Sequence, residues 1–326
     1  MRAVALREFG GPETLEVSSW PDPEPRPGWA VVELRAAALN WHDCLVRRGA
    51  HAVELPQIIG ADGAGVRRDT GEDVVVLPSL WWGDDDRFPA PGFEILGDHT
   101  AGTYAELLAV PDENVYPRPP HLDWPEAAAL PLAGATAFRA LFTRGGLRVG
   151  ETVLILGAGS GVSTVALGLA RMAGARVLVT SSSQQKLEQA AELGAAGGVL
   201  YTDDDWPEHV RELAAPAGVD VVVDSIGSTW PQALAVLNGG GRLVVFGATG
   251  GDRATISVRP FYFGQYSILG TTMGSPRDFE GLLSLVNRQP GWRPPVEAVM
   301  PLDEASAAHA RMERREHFGK LVLSMG

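Results

Sequence analysis

The second half of the sequence alternates short apolar runs with helix-forming segments, and this alternation restricts the fold more than any other feature. From Glu151 onward the apolar runs are Thr152–Leu156, Arg176–Thr180, Val199–Tyr201, Val219–Asp224 and Arg242–Phe246. Continuous apolar runs are typical of strands that are buried on both faces. Strands that alternate with helices form parallel sheets with right-handed crossover connections. The pattern therefore predicts an α/β domain with a doubly wound parallel sheet.

A glycine-rich loop follows the first of these runs. Residues 157–163 read Gly-Ala-Gly-Ser-Gly-Val-Ser, and a helical segment, Thr164–Ala173, comes next. Small residues here allow backbone N–H groups at a helix N-terminus to approach and stabilise a pyrophosphate. A tight strand–helix turn without a ligand is the alternative, but the surrounding βαβ unit, Thr152–Thr180, favours a dinucleotide site. The predicted contacts in the loop are Ala158, Gly159, Ser160, Gly161 and Val162.

The end of the second strand indicates which dinucleotide binds. Sites that are specific for NAD place an Asp or Glu there, about 20 residues beyond the loop, to bind the ribose 2′-hydroxyl. This sequence instead has Ser181, Ser182 and Ser183, followed by Lys186. Because these hydroxyl and ammonium groups suit a 2′-phosphate, we predict NADP(H) as the cofactor. Ser182 could also cap the next helix, with Gln185 closing a capping box, and the two interpretations are compatible.

The first third of the sequence is predicted to be β-rich, because its short apolar or alternating runs are separated by Pro and Gly clusters. The amino-acid composition changes after Asp123. Pro125–Thr143 is rich in Ala and Leu and is predicted to be helical apart from a break at Pro131. The chain has 326 residues. Single hydrophobic cores stop growing at about 250–300 residues, so we expect two domains.

Composition excludes several classes of function. The formal net charge of −13 argues against a nucleic-acid-binding protein, which needs a basic surface. The sequence lacks the run of about 18 apolar residues that a membrane span needs, and its N-terminus has no signal-peptide pattern. We therefore expect a cytoplasmic protein without a membrane partner. Cys44 is the single cysteine, which excludes an intrachain disulfide and a zinc site built on two thiolates.

Segments distributed from end to end resemble the medium-chain dehydrogenase/reductase superfamily, specifically its zinc-free quinone oxidoreductase branch. They are MRAVALREFGGPETLEV, AAALNWHD, IIGADGAGV, AALPLAGATAFRAL, VLILGAGSGVSTVALGLARMAGARVLVTSSS, DVVVDSIG, GGRLVVFGATGG and FGKLVL. The resemblance implies a Gro-ES-like β-barrel catalytic domain, formed by residues 1–122 and 272–326, and a Rossmann domain, formed by residues 123–271. It also implies a homodimer.

The sequence departs from the zinc alcohol dehydrogenases of this superfamily at the metal ligands. Those relatives have a Cys in place of Asn40 and a Gly-His-Glu in place of Gly60-Ala61-Asp62, and their third ligand falls near Leu132. An alternative ligand set consists of His42, Asp62 and Cys44. Zinc needs three or four N, S or O ligands in a defined geometry, and Cys44 is expected to point elsewhere from its helix. We therefore expect no catalytic metal.

The resemblance also implies catalytic residues. Asn40 and Asp43 match the family's Asn-x-x-Asp at the active-site helix. Asn40 is expected to bind the substrate or the nicotinamide ribose, whereas Asp43 either holds the local network or caps the helix. Where reductases of the superfamily often carry a Tyr, this chain has Arg48-Gly49-Ala50-His51. His51 is therefore a candidate proton donor, since imidazole titrates near neutral pH, and an ordinary surface histidine is the alternative.

Further cofactor contacts are implied by the resemblance alone. The residues expected near the nicotinamide are Thr136, Phe246, Gly247, Ala248 and Thr271. Tyr201 and Ser225 are expected near the adenosine half, and Lys320 near the pyrophosphate.

These features predict an NADPH-dependent oxidoreductase that transfers a hydride to a quinone or a conjugated enone without zinc. Such an acceptor delocalises the charge that a metal otherwise stabilises. The alternatives are an alcohol or aldehyde dehydrogenase of the same superfamily and a non-catalytic NADPH-binding regulator. Ser181→Asp is predicted to weaken NADPH binding much more than NADH binding. The apolar run Tyr266–Thr271 is predicted to be the last strand of the sheet, whose edge pairs across a two-fold axis in the homodimer.

Overall fold

The computed structural model describes residues 1–51 and 53–326. They form two compact units, one of residues 1–135 and 274–326 and the other of residues 136–273. The first unit extends beyond the predicted limit at residue 122, because the helix Trp124–Ala128 packs against strands of that unit. None of the helices in these described ranges has the length and apolar character needed to cross a membrane.

The strands and helices follow one another along the whole chain. The strands are β1 (Arg2–Leu6), β2 (Leu15–Ser19), β3 (Trp29–Ala38), β4 (Gln57–Ile58), β5 (Asp62–Arg67), β6 (Asp73–Val76), β7 (Ser79–Leu80), β8 (Glu94–Ile95), β9 (Leu107–Pro111), β10 (Val115–Pro117), β11 (Thr152–Ile155), β12 (Arg176–Ser181), β13 (Gly197–Leu200), β14 (Val219–Asp224), β15 (Leu237–Val245), β16 (Ser267–Gly270), β17 (Val296–Pro301) and β18 (Lys320–Ser324). The α-helices are α1 (Trp41–Arg47), α2 (Trp124–Ala128), α3 (Pro131–Phe138), α4 (Gly161–Met172), α5 (Gln184–Glu192), α6 (Trp206–Ala214), α7 (Trp230–Val236), α8 (Val258–Phe263), α9 (Pro276–Asn287) and α10 (Ala305–Glu313).

The first unit is β-rich, as the sequence predicts. Its larger sheet has the strand order β10-β6-β5-β3-β18-β17, and β9 also pairs with β3. A smaller sheet has the order β2-β1-β4. The chain returns to this unit at its C-terminal end, where β18 pairs antiparallel with β3 and parallel with β17. A core cluster that includes Leu34, Ile58, Tyr104 and Leu323 joins the two sheets.

The second unit is a six-stranded parallel sheet. Its strand order is β13-β12-β11-β14-β15-β16, which is the order 3-2-1-4-5-6 counted within the unit. This is the doubly wound arrangement that binds dinucleotides at the reversal of strand order, between the first and fourth strands. The predicted α/β class and its parallel sheet are confirmed.

Helix caps explain where the observed helices begin. Helix α4 starts at Gly161 rather than at the predicted Thr164, because the Ser160 hydroxyl accepts a hydrogen bond of 3.1 Å from the Ser163 N–H. The predicted break at Pro131 is confirmed, since α2 ends at Ala128 and α3 begins at Pro131. Helix α3 then passes into a π-helical segment, Arg139–Arg144.

Candidate active site

The carboxyl edge of the parallel sheet collects most of the predicted cofactor residues. The strands β11 to β16 end directly before or at Leu156, Ser181, Tyr201, Ser225, Phe246 and Thr271, respectively. Because the strands are parallel, their carboxyl ends lie at the same edge of the sheet, where ligands of open α/β sheets bind. Residues separated by more than 100 positions in the sequence are therefore aligned along one edge.

The glycine-rich loop has the backbone that a phosphate site needs. Gly157 and Gly159 have φ angles of +77° and +109°, in the left-handed region that favours glycine. A Cβ on Gly159 would lie 2.8 Å from Cδ of Lys186, so the Lys186 side chain passes directly over the loop. The first turn of α4 leaves backbone N–H groups without intrahelical acceptors. The loop therefore presents N–H donors and an ammonium at one place.

The serine cluster after β12 is organised differently from the predicted cap. Ser183, not Ser182, caps α5, since its hydroxyl accepts a hydrogen bond from the Lys186 N–H. Ser181 is only 2% exposed, and its hydroxyl accepts a hydrogen bond of 3.2 Å from the Ser183 N–H. Ser182 is exposed. The predicted capping box at Ser182 is therefore wrong, and Ser182 rather than Ser181 has its hydroxyl at the surface.

Three threonines of the second unit, Thr136, Thr229 and Thr271, carry hydroxyls that lack a partner in the described structure, and Thr136 and Thr271 are among the predicted cofactor contacts. The Oγ1 atoms of Thr136 and Thr271 are buried and accept or donate no hydrogen bond there, and Thr136 is 5% exposed. An unpaired buried hydroxyl costs free energy unless a ligand satisfies it. Thr136 and Thr271 were predicted near the nicotinamide, and their unpaired hydroxyls are compatible with polar groups of a bound cofactor.

The turn after β14 is held by a buried carboxylate. Asp224 is fully buried and accepts hydrogen bonds from the N–H groups of Ile226, at 2.7 Å, and Gly227, at 3.3 Å. Burial raises the pKa of Asp224, and these backbone donors oppose the shift. The carboxylate thereby fixes the loop that contains Ser225. Ser225 in turn is adjacent to Gly247, where a Cβ would lie 2.9 Å from the Ser225 carbonyl oxygen.

In the first unit, Lys320 is the centre of a buried polar cluster. Its ammonium donates to Oδ1 of Asn40, at 2.6 Å, and to Oδ2 of Asp62, at 2.8 Å. Asn40 also donates to Asp62, at 2.9 Å, and the second Asp62 oxygen accepts from the Leu132 N–H, at 2.7 Å. Lys320 is 2% exposed and Asp62 is fully buried. This ion pair was not foreseen, and the predicted approach of Lys320 to a pyrophosphate stays a prediction.

Asp43 belongs to a second buried network. Its carboxylate accepts from the Asn40 N–H, at 2.8 Å, which completes a capping box at the start of α1, and from the Tyr104 hydroxyl, at 2.9 Å. The Tyr104 hydroxyl lies 3.1 Å from Nε2 of His309, whose Nδ1 lies 3.5 Å from the Cys44 thiol. Burial raises the pKa of Asp43 to about 6 and lowers that of His309 to about 3. Both interpretations of Asp43, as a cap and as a network residue, are supported.

His51 lies beside a second histidine. Its ring centroid is 4.6 Å from that of His42, whose Nε2 is 2.7 Å from Oδ1 of Asp98. The Asn-x-x-Asp motif and the candidate donor His51 were found from the sequence. Tyr104, His309 and Asp98 were missed, because they are distant in the sequence and belong to no motif.

Two family descriptions match separate parts of the chain. Residues 26–120 match the family described as "Alcohol dehydrogenase GroES-like domain", and residues 161–288 match the family described as "Zinc-binding dehydrogenase". A zinc-type alcohol dehydrogenase-like protein of Schizosaccharomyces pombe is 30% identical over 346 residues, which cover 100% of this chain and 99% of that protein. The quinone oxidoreductase of Mus musculus is 30% identical over 323 residues, which cover 95% and 93%.

A solved structure of an NAD-dependent alcohol dehydrogenase matches the fold with a TM-score of 0.93 and 40% identity, covering 100% of both chains. The chain belongs to the medium-chain dehydrogenase/reductase superfamily. The predicted combination of a GroES-like domain with a Rossmann-type parallel sheet is thereby confirmed. Members of this superfamily bind a nicotinamide cofactor, and the relatives identify the chain as an oxidoreductase.

The residues of this superfamily member do not fit the zinc that one family description implies. Of the three positions at which the zinc relatives carry ligands, Ala61 and Leu132 have no donor atom on their side chains, and Asn40 Oδ1 already accepts from Lys320. Within residues 1–51 and 53–326, no group of three or more His, Cys, Asp or Glu side chains is placed to hold a metal. An ammonium is therefore bound by the asparagine that replaces a zinc ligand.

The nicotinamide cofactor does fit. The left-handed glycines of the loop, the Lys186 ammonium above Gly159 and the unpaired hydroxyls of Thr136 and Thr271 provide suitable groups for phosphate and for polar atoms. These groups are local features of the second unit.

Proposed function

We propose that this protein is an NADPH-dependent reductase of conjugated acceptors, enones or quinones, that works without a catalytic metal. The observation that supports this most strongly is the Lys320–Asp62 ion pair, with Asn40 bound to the same ammonium. In a buried cluster, Lys320 has the positive charge that balances Asp62. A metal ion would have to displace this ammonium and would then find no donor on Ala61 or Leu132.

The proposed class of acceptor follows from the chemistry that is possible without a catalytic metal. Oxidation of a simple alcohol develops an alkoxide, which metal-dependent enzymes stabilise by Lewis acidity. A conjugated acceptor spreads the incoming negative charge over several atoms. NADPH, when bound, supplies the hydride, and the protein then has to orient the reactants, stabilise the developing charge and deliver one proton. The quinone oxidoreductase relatives support this acceptor class.

The proposed roles of the residues in the first unit follow from their contacts. Asn40 is held by Asp62 and Lys320 and caps α1, so its amide has a fixed orientation, and its proposed role is to bind the substrate or a ribose. Asp43 keeps the start of α1 and the Tyr104 hydroxyl in place. His51 is half-buried and is the proposed proton donor.

NADPH is the proposed cofactor because of the groups beside the glycine-rich loop. Lys186 and Ser182 provide an ammonium and an exposed hydroxyl near the end of β12, and the position of the NAD-specific carboxylate is occupied by Ser181. The structural relative that is 40% identical is described as NAD-dependent, which favours the opposite preference. The local residues support a 2′-phosphate, since the Lys186 ammonium and the exposed Ser182 hydroxyl attract it and a serine stands where NAD-specific sites have a carboxylate.

An acceptor screen tests the proposed function. The purified protein is mixed with NADPH or NADH and with quinones, 2-alkenals, enoyl thioesters or simple alcohols and aldehydes, and cofactor absorbance is followed. We expect turnover with NADPH and at least one conjugated acceptor. Turnover confined to simple alcohols or aldehydes would support the alcohol dehydrogenase alternative. Cofactor binding without turnover of any acceptor would support the non-catalytic regulator.

A further inference from the structure

Three side chains of the first unit, His42, His51 and Asp98, form a connected group. His42 and Asp98 are joined by a hydrogen bond of 2.7 Å, and their side chains are 14% and 13% exposed. The His51 ring contacts the His42 ring with centroids 4.6 Å apart and planes tilted by 58°. Because a carboxylate only accepts hydrogen bonds, Nε2 of His42 carries the proton in this contact.

The backbone around Asp98 is itself anchored. The Gln57 side-chain amide donates to the carbonyl oxygens of Asp98, at 2.8 Å, and Thr100, at 3.1 Å, and Gln57 is 9% exposed. The Asp98 N–H donates to the Ile95 carbonyl at 3.0 Å. The carboxylate that holds His42 is therefore placed by a fixed loop rather than by a free side chain alone.

The charges around the two rings have opposite effects on them. Burial by itself would lower the pKa of His42, but the hydrogen bond and charge of Asp98, with the charge of Asp43, raise it overall. Burial lowers the pKa of His51, the neighbouring His42 lowers it further, and Asp98 opposes the shift. His42 is thus favoured as the cation, and its charge makes the His51 imidazolium a stronger acid.

We propose that Asp98 and His42 are positioning residues for the proton donor His51, and that the three side chains act as one acid in enone reduction. This proposal rests on the proposed function. A hydride forms the new C–H bond at the β-carbon of the enone as the C–H bond of reduced nicotinamide breaks, which leaves NADP⁺ and an enolate. The His51 imidazolium gives its N–H proton to the enolate and becomes neutral, and solvent returns that proton. The sum is NADPH + enone + H⁺ → NADP⁺ + saturated ketone.

Imidazole NMR of the cofactor-free protein tests the coupling without any turnover. Resonances of His42 and His51 are assigned with His42→Phe and His51→Gln and followed against pH. We expect the pKa of His51 to rise in His42→Phe, which keeps an aromatic ring against His51 but removes the charge. We expect the pKa of His42 to fall in Asp98→Asn. An unchanged His51 titration in His42→Phe would overturn the proposal.

Steady-state kinetics test the second part of the proposal, that the three side chains act as one acid in enone reduction. With NADPH and an accepted enone, we expect His51→Gln to lower kcat by about 100-fold and His42→Phe by about tenfold, with the acceptor KM changed little. The solvent isotope effect on kcat should increase in both variants, because protonation becomes slower relative to hydride transfer. His209→Gln, an exposed histidine on α6, serves as the control and should keep wild-type kinetics.

The outcomes separate this proposal from the proposed function. If the wild-type protein reduces enones while His51→Gln and His42→Phe keep its kcat and isotope effect, the acid assignment is wrong and the proposed function stands. If the wild-type protein reduces no conjugated acceptor, the proposed function fails first, and the catalytic assignment fails with it.

Discussion

At the scale of single residues, lysine is the informative residue type. The sequence contains 27 Lys and Arg residues together, and only Lys186 and Lys320 are lysines. Lys186 lies over the glycine-rich loop, and Lys320 lies between Asn40 and Asp62. A lysine ammonium is a compact point charge, whereas the arginine guanidinium is a wide planar fork. At Lys320 the compact ammonium fits between Asn40 and Asp62, at 2.6 Å and 2.8 Å.

Removing the Lys320 charge tests the role of the buried ion pair. In Lys320→Met, Asp62 is left buried without its cation, and we expect a loss of about 3–5 kcal/mol in the free energy of unfolding. The matched double variant Lys320→Met with Asp62→Asn removes both charges and should recover part of that loss. Urea denaturation monitored by tryptophan fluorescence measures both. A loss below about 1 kcal/mol in the single variant would mean that the pair is not electrostatically important.

Cofactor preference is tested at Lys186 and Ser182. NADPH should bind the wild-type protein at least about tenfold more tightly than NADH, which corresponds to about 1.4 kcal/mol. Lys186→Ala should weaken NADPH binding alone, because it removes the ammonium that attracts the 2′-phosphate. Ser182→Asp replaces the Ser181→Asp variant as the better probe, since Ser181 is buried and its hydroxyl is engaged. Fluorescence titration with each cofactor measures the affinities, and equal wild-type affinities would contradict the preference.

Sequence reasoning at the residue scale groups residues that are neighbours in the chain. The glycine-rich loop, the Asn-x-x-Asp motif and the serine cluster are local patterns of this kind, and their roles toward cofactor and substrate stay predictions. The partners of His42 and Tyr104 were not predictable in this way. Asp98 is 56 residues from His42, and His309 is 205 residues from Tyr104, so only the folded sheets bring them together.

At the scale of elements, the buried network joins α1 to α10 through a histidine that stays neutral. His309 on α10 is fully buried, and burial lowers its pKa to about 3. A lowered pKa means that the unfolded chain binds a proton first, so this residue's contribution to stability is complete above about pH 6.5 and is lost as the pH falls toward 3. The contribution of Asp43 to stability has the opposite pH dependence, because its pKa rises from about 3.9 in the unfolded chain to about 6 in the folded protein. This pKa shift is smaller than that of His309.

The consequence is a stability loss in mild acid that depends on His309. We expect the free energy of unfolding of the wild-type protein to fall between pH 7 and pH 5, and to fall less in His309→Gln, which has no titrating ring. Urea denaturation at the two pH values measures the difference, with His209→Gln as the control for an exposed histidine. An equal decrease in His309→Gln and the wild type would contradict the assigned charge state.

The edge strand β16 is the proposed interface of the homodimer. Among residues 1–51 and 53–326 its one strand partner is β15, so it ends the six-stranded sheet, as the run Tyr266–Thr271 predicted, with observed bounds Ser267–Gly270. An unpaired edge favours pairing with a second copy. Gly270→Asp places a charge at this edge, at a position where a Cβ meets nothing within 4 Å, and should shift the protein toward monomer. Gly291→Asp, an equally open position in the first unit, is the control. A monomeric wild-type mass in light scattering at micromolar concentration would refute the dimer.

At the scale of the whole molecule, the two-unit organisation and both fold classes were predictable, while the limits of the units were not. The change of amino-acid composition after Asp123 marks the end of the β-rich region. It does not mark the end of this segment of the first unit, which extends to Ala135. Local composition shows that a helix-rich region begins after Asp123. It does not show that α2 packs against β3 and β5, because that packing depends on the folded sheet.

The central claim is that this oxidoreductase reduces a conjugated acceptor without a metal, with Lys320 bound to the asparagine that replaces a zinc ligand. The most direct measurement combines NADPH oxidation by an enone with elemental analysis of the same preparation, purified without added zinc and treated with a chelator. We predict an unchanged rate in protein that holds far less than one zinc ion per chain. Oxidation of a simple alcohol at a rate proportional to the bound zinc, with no enone reduction, would contradict the claim.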